Sequence, residues 1–460
     1  MWPLKHHDGF QTAKINKDCR QVAIVILFVI SPNIKQNFDM AELREVFGQT
    51  RDLPLNYVRR AQVDDQFKNS LNYGKHIVLY GSSKQGKTSL RKSILAEEGD
   101  SIVIHCSNKW NISQLNAQIL KQAGFVVKSS SEKTIDGRAK ASVGFDFAKL
   151  FTAGGEGEAG YSQTEQFEPL TLDLQDVNDI IDALESINFD RFVVIEDFHY
   201  LRDETQRDFA FALKAYHENS NYIFIIVGVW LEDNRLTLLN GDLVGRVHTI
   251  NADEWESRDL ARVITKGEDL LNIRFEEVTK ANIIRLSTGS VFVVQELCLN
   301  ICIEAGITKT QKSEIIVNSK HEVIYLLEQI INQQTGRYNS FLTSFSLGFQ
   351  ETELSMYRWL LYPVLQHLSS GSKKGLSYRE IKESVMKVHP RGKSLNPGNL
   401  TLALTSCGNL QAKKQIQPII LDYDQSNLML NIVDKGFVIW LIFQDKDWLL
   451  EKIGLPNDND

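Results

Sequence analysis

Residues 76–90 read HIVLYGSSKQGKTSL, and this stretch narrows the fold more than any other in the chain. The run to Tyr80 is short, apolar and closed by a glycine, so it reads as a strand buried on both faces. The next residues, Gly81, Ser82, Ser83, Lys84, Gln85, Gly86, Lys87 and Thr88, match G-x-x-x-x-G-K-[ST] without a mismatch. Glycines at those positions let backbone N–H groups curl around an anion, and a helix starting near Gly86 aims its positive end at the same point. Lys87 can reach the outer phosphates of a nucleotide and the Thr88 hydroxyl can ligate Mg²⁺, with Ser89 extending the cradle. The expected cofactors are therefore ATP and Mg²⁺.

Binding alone does not predict hydrolysis, which needs acids on a neighbouring strand. RFVVIED at 191–197 supplies them: four apolar residues end in Glu196 and Asp197. Glu196 is expected to hold the Mg²⁺ shell together with Thr88. Asp197 would orient or deprotonate water, making Lys87, Glu196 and Asp197 the catalytic candidates. His199, just beyond, reads as packing at the sheet edge. SIVIHC at 101–106 and YIFIIVGV at 222–229 are further apolar strands, with helical segments between them. Such alternation predicts an α/β fold with a parallel sheet covered by helices on both faces.

Composition sets outer limits. A formal charge of −7 gives no molecule-wide basic field to attract nucleic acid, so any such contact must be local. The five cysteines include no CxxC and no Cys/His cluster, and Cys298 and Cys302 read as packed thiols, which fits a reduced, cytoplasmic setting. The apolar run 22–30 is shorter than the ~20 residues a membrane span needs, so no membrane partner is expected. Residues 1–39 are of mixed character and Met40 opens in the manner of an ordinary domain, so 1–39 is expected to be an extension upstream of the biological start.

With these two motifs in order, the chain resembles P-loop ATPases of the AAA+/STAND group, in particular prokaryotic STAND ATPases and the initiator ATPases related to origin-recognition proteins. RDLPLNYVRRAQVDDQF ahead of the loop resembles their adenine-bracketing linker, which implies Tyr57 and Val58 as base contacts. YIFIIVGVWLEDNRL resembles their sensor-1 strand, lying beside the acid-tipped strand. NGDLVGRVHTI resembles the segment with a glycine–arginine pair, here Gly245 and Arg246, ahead of the last core strand. LSTGSVFVVQELC resembles the start of the lid helix. Arg246 is implied either as a catalytic arginine finger toward a neighbouring subunit or as a capping arginine. Three departures stand out: the acid order is Glu-Asp, the sensor-1 strand ends in GVW without a polar residue, and the lid motif lacks an arginine.

The expected organisation is a P-loop core over 40–252 with a surface insertion or hairpin at 128–170, a helical lid without strands over 253–345, and a C-terminal winged helix over 350–460. In the last, three helices precede a β-hairpin that turns at DQSN and includes GFVIWLIF. Between 371 and 415 Lys373, Lys374, Arg379, Lys382, Lys387, Arg391, Lys393, Lys413 and Lys414 face only Glu380 and Glu383, a basic patch suited to duplex DNA. STAND proteins also use a winged helix internally to clamp nucleotide. The resemblance thus implies a slow Mg²⁺-dependent ATPase switch in signalling or defence, through self-association or a protein partner. A DNA-acting initiator or transposition helper is the alternative.

Overall fold

The computed structural model describes residues 40–129, 145–153, 164–170, 172–253, 255–350, 352–369 and 375–457. The expectations for 1–39, for Lys373 and Lys374, and for residues 130–144 and 154–163 of the insertion lie outside them. Among the described residues no helix is long and apolar enough to cross a membrane.

The central sheet has five parallel strands: β1 (His76–Tyr80), β2 (Ser101–His105), β6 (Phe192–Glu196), β7 (Phe224–Val227) and β8 (Val247–Asn251). Their spatial order is β2-β6-β7-β1-β8. β7 pairs in parallel with both β1 and β6, so the strand tipped by the acids lies one strand away from the one that feeds the phosphate loop. Alternate side chains enter two cores. Ile77, Leu79, Val194, Ile225 and Val227 pack with Leu90 and Ile94 on one face. Val78, Val193, Ile195, Phe224 and Ile226 pack with Leu115, Ile180 and Phe209 on the other. That two-sided burial is why the strands read as unbroken apolar runs.

The insertion forms a small antiparallel sheet, β3 (Val126–Ser129), β4 (Phe145–Ala153) and β5 (Thr164–Leu170), in the order β3-β4-β5. The lid is built from the helices Ser257–Leu271, Glu277–Leu286, Val291–Glu304 and Val323–Asn332. It also carries a parallel pair that the sequence reading left out, β9 (Ile273–Phe275) and β10 (Ile315–Val317). Three-residue strands hold too few positions for an alternation signal, and Ile273, Phe275 and Val317 are buried by their helical neighbours.

The C-terminal part has helices Met356–Ser369 and Tyr378–Val388, then two short helices, Pro397–Thr405 and Cys407–Lys413, where one was expected. The break at Ser406 turns Gln411 inward, where it donates to the Leu421 carbonyl at 2.7 Å and accepts from Ile420 N at 2.7 Å. A three-stranded sheet follows, in which β13 (Met429–Ile432) lies between β11 (Leu376–Ser377) and β12 (Leu421–Asp424). The hairpin turns over Gln425–Leu428, as DQSN suggested, but GFVIWLIF is helical over Lys435–Ile442. Asp434 caps that helix by accepting from Phe437 N, and Phe437 and Trp440 stack 5.8 Å apart, one turn along the same face. Apolar runs of this length do not distinguish a buried strand from a buried helix; the cap and the i,i+3 aromatic pair do.

Candidate functional site

The loop after β1 closes on itself as its sequence demands. Gly86 sits at φ +81°, a conformation that glycine adopts freely, and the helix Lys87–Glu98 starts from it. Lys87 is buried, and its Nζ donates to the carbonyls of Gly81 at 2.9 Å and Ser82 at 2.6 Å. Burial pushes its pKa down to about 8, against the opposing pull of Asp253, Glu196 and Asp197. A phosphate arriving here would replace those carbonyls and restore the full positive charge.

A cavity of about 370 Å³ opens over the loop. Ser83, Lys84, Gln85, Gly86, Lys87 and Thr88 form its floor, Glu196, Asp197 and His199 one wall, and Val227, Gly228 and Val229 the end of β7. Gly48, Gln49 and Thr50 from the N-terminal side and Val291, Phe292 and Gln295 from the lid complete it. Gln85, which lines it, has its Oε1 buried with no hydrogen-bond partner. Glu196 is 5% exposed and bonded to Arg91, whereas the Asp197 carboxylate is about half exposed and 3.6 Å from His105. Asp197 itself holds a left-handed backbone at φ +60°.

Among the described residues no three His, Cys, Asp or Glu side chains are gathered to hold a metal on their own. The donor set nonetheless fits Mg²⁺ bound with a nucleotide, since Mg²⁺ keeps several waters and takes few protein oxygens. Thr88 from the floor and Glu196 from the wall would hold it, and it would supply charge compensation to the phosphates.

Not every expected residue reaches the cavity. Tyr57 donates to Asp64, and Val58 is buried at 5% exposure; neither lines the cavity, whose lid side is instead Val291, Phe292 and Gln295. Gln295 and Asn56 exchange reciprocal amide bonds at 2.9 and 3.0 Å, tying the lid helix to the linker. Arg246 precedes β8 and pairs with Glu218 at 2.7 Å. Since Val247 stands opposite His76 at the start of β1, Arg246 lies at the end of the sheet away from the loop. Ser82 is held from outside by Asp253, which accepts from Ser82 N at 2.9 Å and Ser82 Oγ at 2.5 Å. Asp253 follows β8 with no motif around it, so only the fold reveals it. His199 is buried; its Nδ1 accepts from Val229 N at 3.3 Å, and its ring lies 4.0 Å from that of Tyr200 at a tilt of 44°.

The C-terminal part contacts this site directly. The Val433 carbonyl accepts from Ser83 N of the loop at 2.8 Å. Lys435 Nζ donates to the Gly289 carbonyl at 3.1 Å, bridging to the lid. Val229, Ile419 and Val433 form one buried cluster against Tyr200 and Leu231. Farther out, Arg235 pairs with Asp422 at 2.9 Å, and Asn108 donates to the Ala412 carbonyl at 3.2 Å. Asn409 bonds Asp203. The helix Cys407–Lys413 therefore faces the core.

Glu232 lies in the same junction at 4% exposure, with Ser426 Oγ at 3.3 Å. Burial and the nearby Asp424 carboxylate raise its pKa to about 7. A raised acid contributes most to stability below its unfolded value of 4.5, and loses that contribution as pH climbs through 7. Glu232→Gln should remove the loss: its stability should exceed that of wild type by an amount that grows from pH 5 to pH 8, reaching roughly 1–3 kcal/mol. Parallel melting curves at several pH values check this.

No family model matches the chain, and no curated protein matches it. Among solved structures, similar ones include a Walker-type ATPase of Pyrococcus abyssi, with 13% identity, TM-score 0.47 and coverage of 84% of this chain and 99% of that one. Cdc6p of Pyrobaculum aerophilum follows at 11% identity and TM-score 0.38, covering 87% and 97%. The ORC1 protein of Aeropyrum pernix, in complex with DNA, has 9% identity and TM-score 0.42, covering 90% and 98%. The strand order β2-β6-β7-β1-β8, the glycine-bounded loop after β1 and the acids at the tip of β6 give this core the architecture of a P-loop α/β fold.

Proposed function

We propose that this chain is an ATP-binding, slowly hydrolysing switch, and that the C-terminal part is a winged helix used as an internal clamp. The observation that carries the reading is the bond from Ser83 N to the Val433 carbonyl, because it spends a phosphate-loop amide on the clamp. A nucleotide whose phosphates need the space around Ser83 works against that bond, whereas one that leaves it alone tolerates the closed arrangement. ADP would keep the clamp shut and ATP would loosen it. Lys87 and the loop amides bind phosphate, Thr88 and Glu196 face the Mg²⁺ shell, and Asp197, exposed to the cavity, holds the attacking water. Domain limits near 252 and 350 follow the same reading.

The basic patch supports DNA binding less well. Arg379 is paired with Glu383 at 2.8 Å, Arg391 bonds Glu353, and Lys413 lies over Phe349. The second half of the expected third helix, Cys407–Lys413, faces the core, where Asn409 bonds Asp203 and the Ala412 carbonyl accepts from Asn108. The test is titration of residues 40–460 with fluorescent ADP and ATP plus Mg²⁺, followed by labelled duplex DNA across a salt series. Nucleotide binding without salt-dependent duplex binding supports the clamp. Absence of nucleotide binding overturns the reading, and tight, steeply salt-dependent duplex binding replaces the clamp with a DNA reader.

A further inference from the structure

Arg91 stands one helical turn after Lys87 on the same face of the helix Lys87–Glu98. Its Nε donates to Glu196 Oε1 at 2.9 Å, and the two side chains are only 7% and 6% exposed. The motif logic gives Glu196 one duty, the Mg²⁺ shell, yet the fold supplies its carboxylate with a cation of its own. We propose that Arg91 is a positioning residue, a built-in counter-cation that holds Glu196 in place in the empty site and shares it when Mg²⁺·nucleotide arrives. The proposal rests on reading this cavity as an ATP·Mg²⁺ site.

A carboxylate this deeply buried is costly to keep ionised without a partner. Lys87 does not serve as that partner here, because its Nζ is turned onto the carbonyls of Gly81 and Ser82. Arginine suits the duty, since its charge is fixed and its planar fork bonds in one direction. The contact engages Oε1 and leaves Oε2 on the same carboxylate for a cation's water shell. Mg²⁺ then gains less from Glu196 than it would from an uncompensated carboxylate, so nucleotide affinity depends on Mg²⁺ only weakly.

The test measures fluorescent ADP affinity of the full chain in excess Mg²⁺ and in EDTA, with melting curves under both conditions. Arg91→Gln is expected to raise the ratio of the two dissociation constants by about tenfold over wild type, as Mg²⁺ becomes the only nearby compensation for Glu196. Its melting midpoint should fall in EDTA and recover toward wild type with Mg²⁺·ADP. Arg91→Lys should bring the ratio back toward wild type, and in a Glu196→Gln background Arg91→Gln should leave it unchanged. If Arg91→Gln does not fold, Arg91→Met, which keeps the apolar stem without the charge, reads the same coupling with and without Glu196→Gln. An unchanged ratio with an equal loss of stability in both conditions would overturn the proposal and leave Arg91 a structural brace. Failure of the wild-type chain to bind ADP in either condition would overturn the nucleotide reading, and this proposal with it.

Discussion

Lys87→Ala is expected to cut ATP and ADP affinity by more than about 100-fold, since a lysine donating two charge-assisted bonds to phosphate contributes roughly 1.5–3 kcal/mol for each. The side chain is buried over the loop and already bonded to two of its carbonyls, so its ammonium is placed before any ligand arrives. Truncation removes one of the two lysines lining the cavity among the described residues; the other, Lys84, sits 3.9 Å above the Phe292 ring. Removing a buried ammonium whose pKa is depressed to about 8 relieves a desolvation cost. The melting midpoint of the empty protein should therefore stay near wild type while the shift caused by ADP disappears. Isothermal titration and thermal shift read the two effects separately, and retained affinity would mean that the nucleotide binds elsewhere.

Arg235→Ala is expected to have the largest effect on the closed arrangement. Asp422 is 2% exposed and its Oδ1 accepts from Arg235 at 2.9 Å, while its Oδ2 has no partner. Loss of the arginine strands a buried carboxylate, which costs about 3–5 kcal/mol. The protein has two ways to relieve that cost: protonate Asp422, or open the junction and let water reach it. The second route separates β12 from the core and withdraws Val433 from Ser83. Bound ADP should then leave faster by at least about tenfold, with little change in the association rate. Arg235→Lys should fall between the two. Stopped-flow release of fluorescent ADP gives the answer directly, and release at the wild-type rate would show that this junction has no part in holding the nucleotide.

The sequence made the core legible because its signals are local. His76–Tyr80, the glycine-bounded loop and the run ending at Glu196 each occupy fewer than ten residues, and two-faced burial keeps them apolar without interruption. Local motifs do not show which side chains meet across the fold. Asp253 buttresses Ser82 from beyond β8, Arg91 neutralises Glu196 across two elements, and Phe292 comes from the lid. None of these has a spacing that marks it. Tyr57 was placed at the base by likeness of the linker, but its hydroxyl is committed to Asp64 and its backbone carbonyl to Lys266. The helix Lys435–Ile442 was hidden by composition, since Phe437, Val438, Ile439 and Trp440 would suit a strand as well.

Hydrogen exchange in the wild-type chain with Mg²⁺ and either ADP or a non-hydrolysable ATP analogue tests the clamp most directly. The peptides that matter are 81–90 of the loop, 407–413 against the core and 419–437 around Val433. ADP should protect all three together. The ATP analogue should keep 81–90 protected while 407–413 and 419–437 exchange faster, as the junction opens around a loop still filled by phosphate. Equal protection of 407–413 and 419–437 with both nucleotides, in a protein shown to bind each, would contradict a nucleotide-controlled clamp.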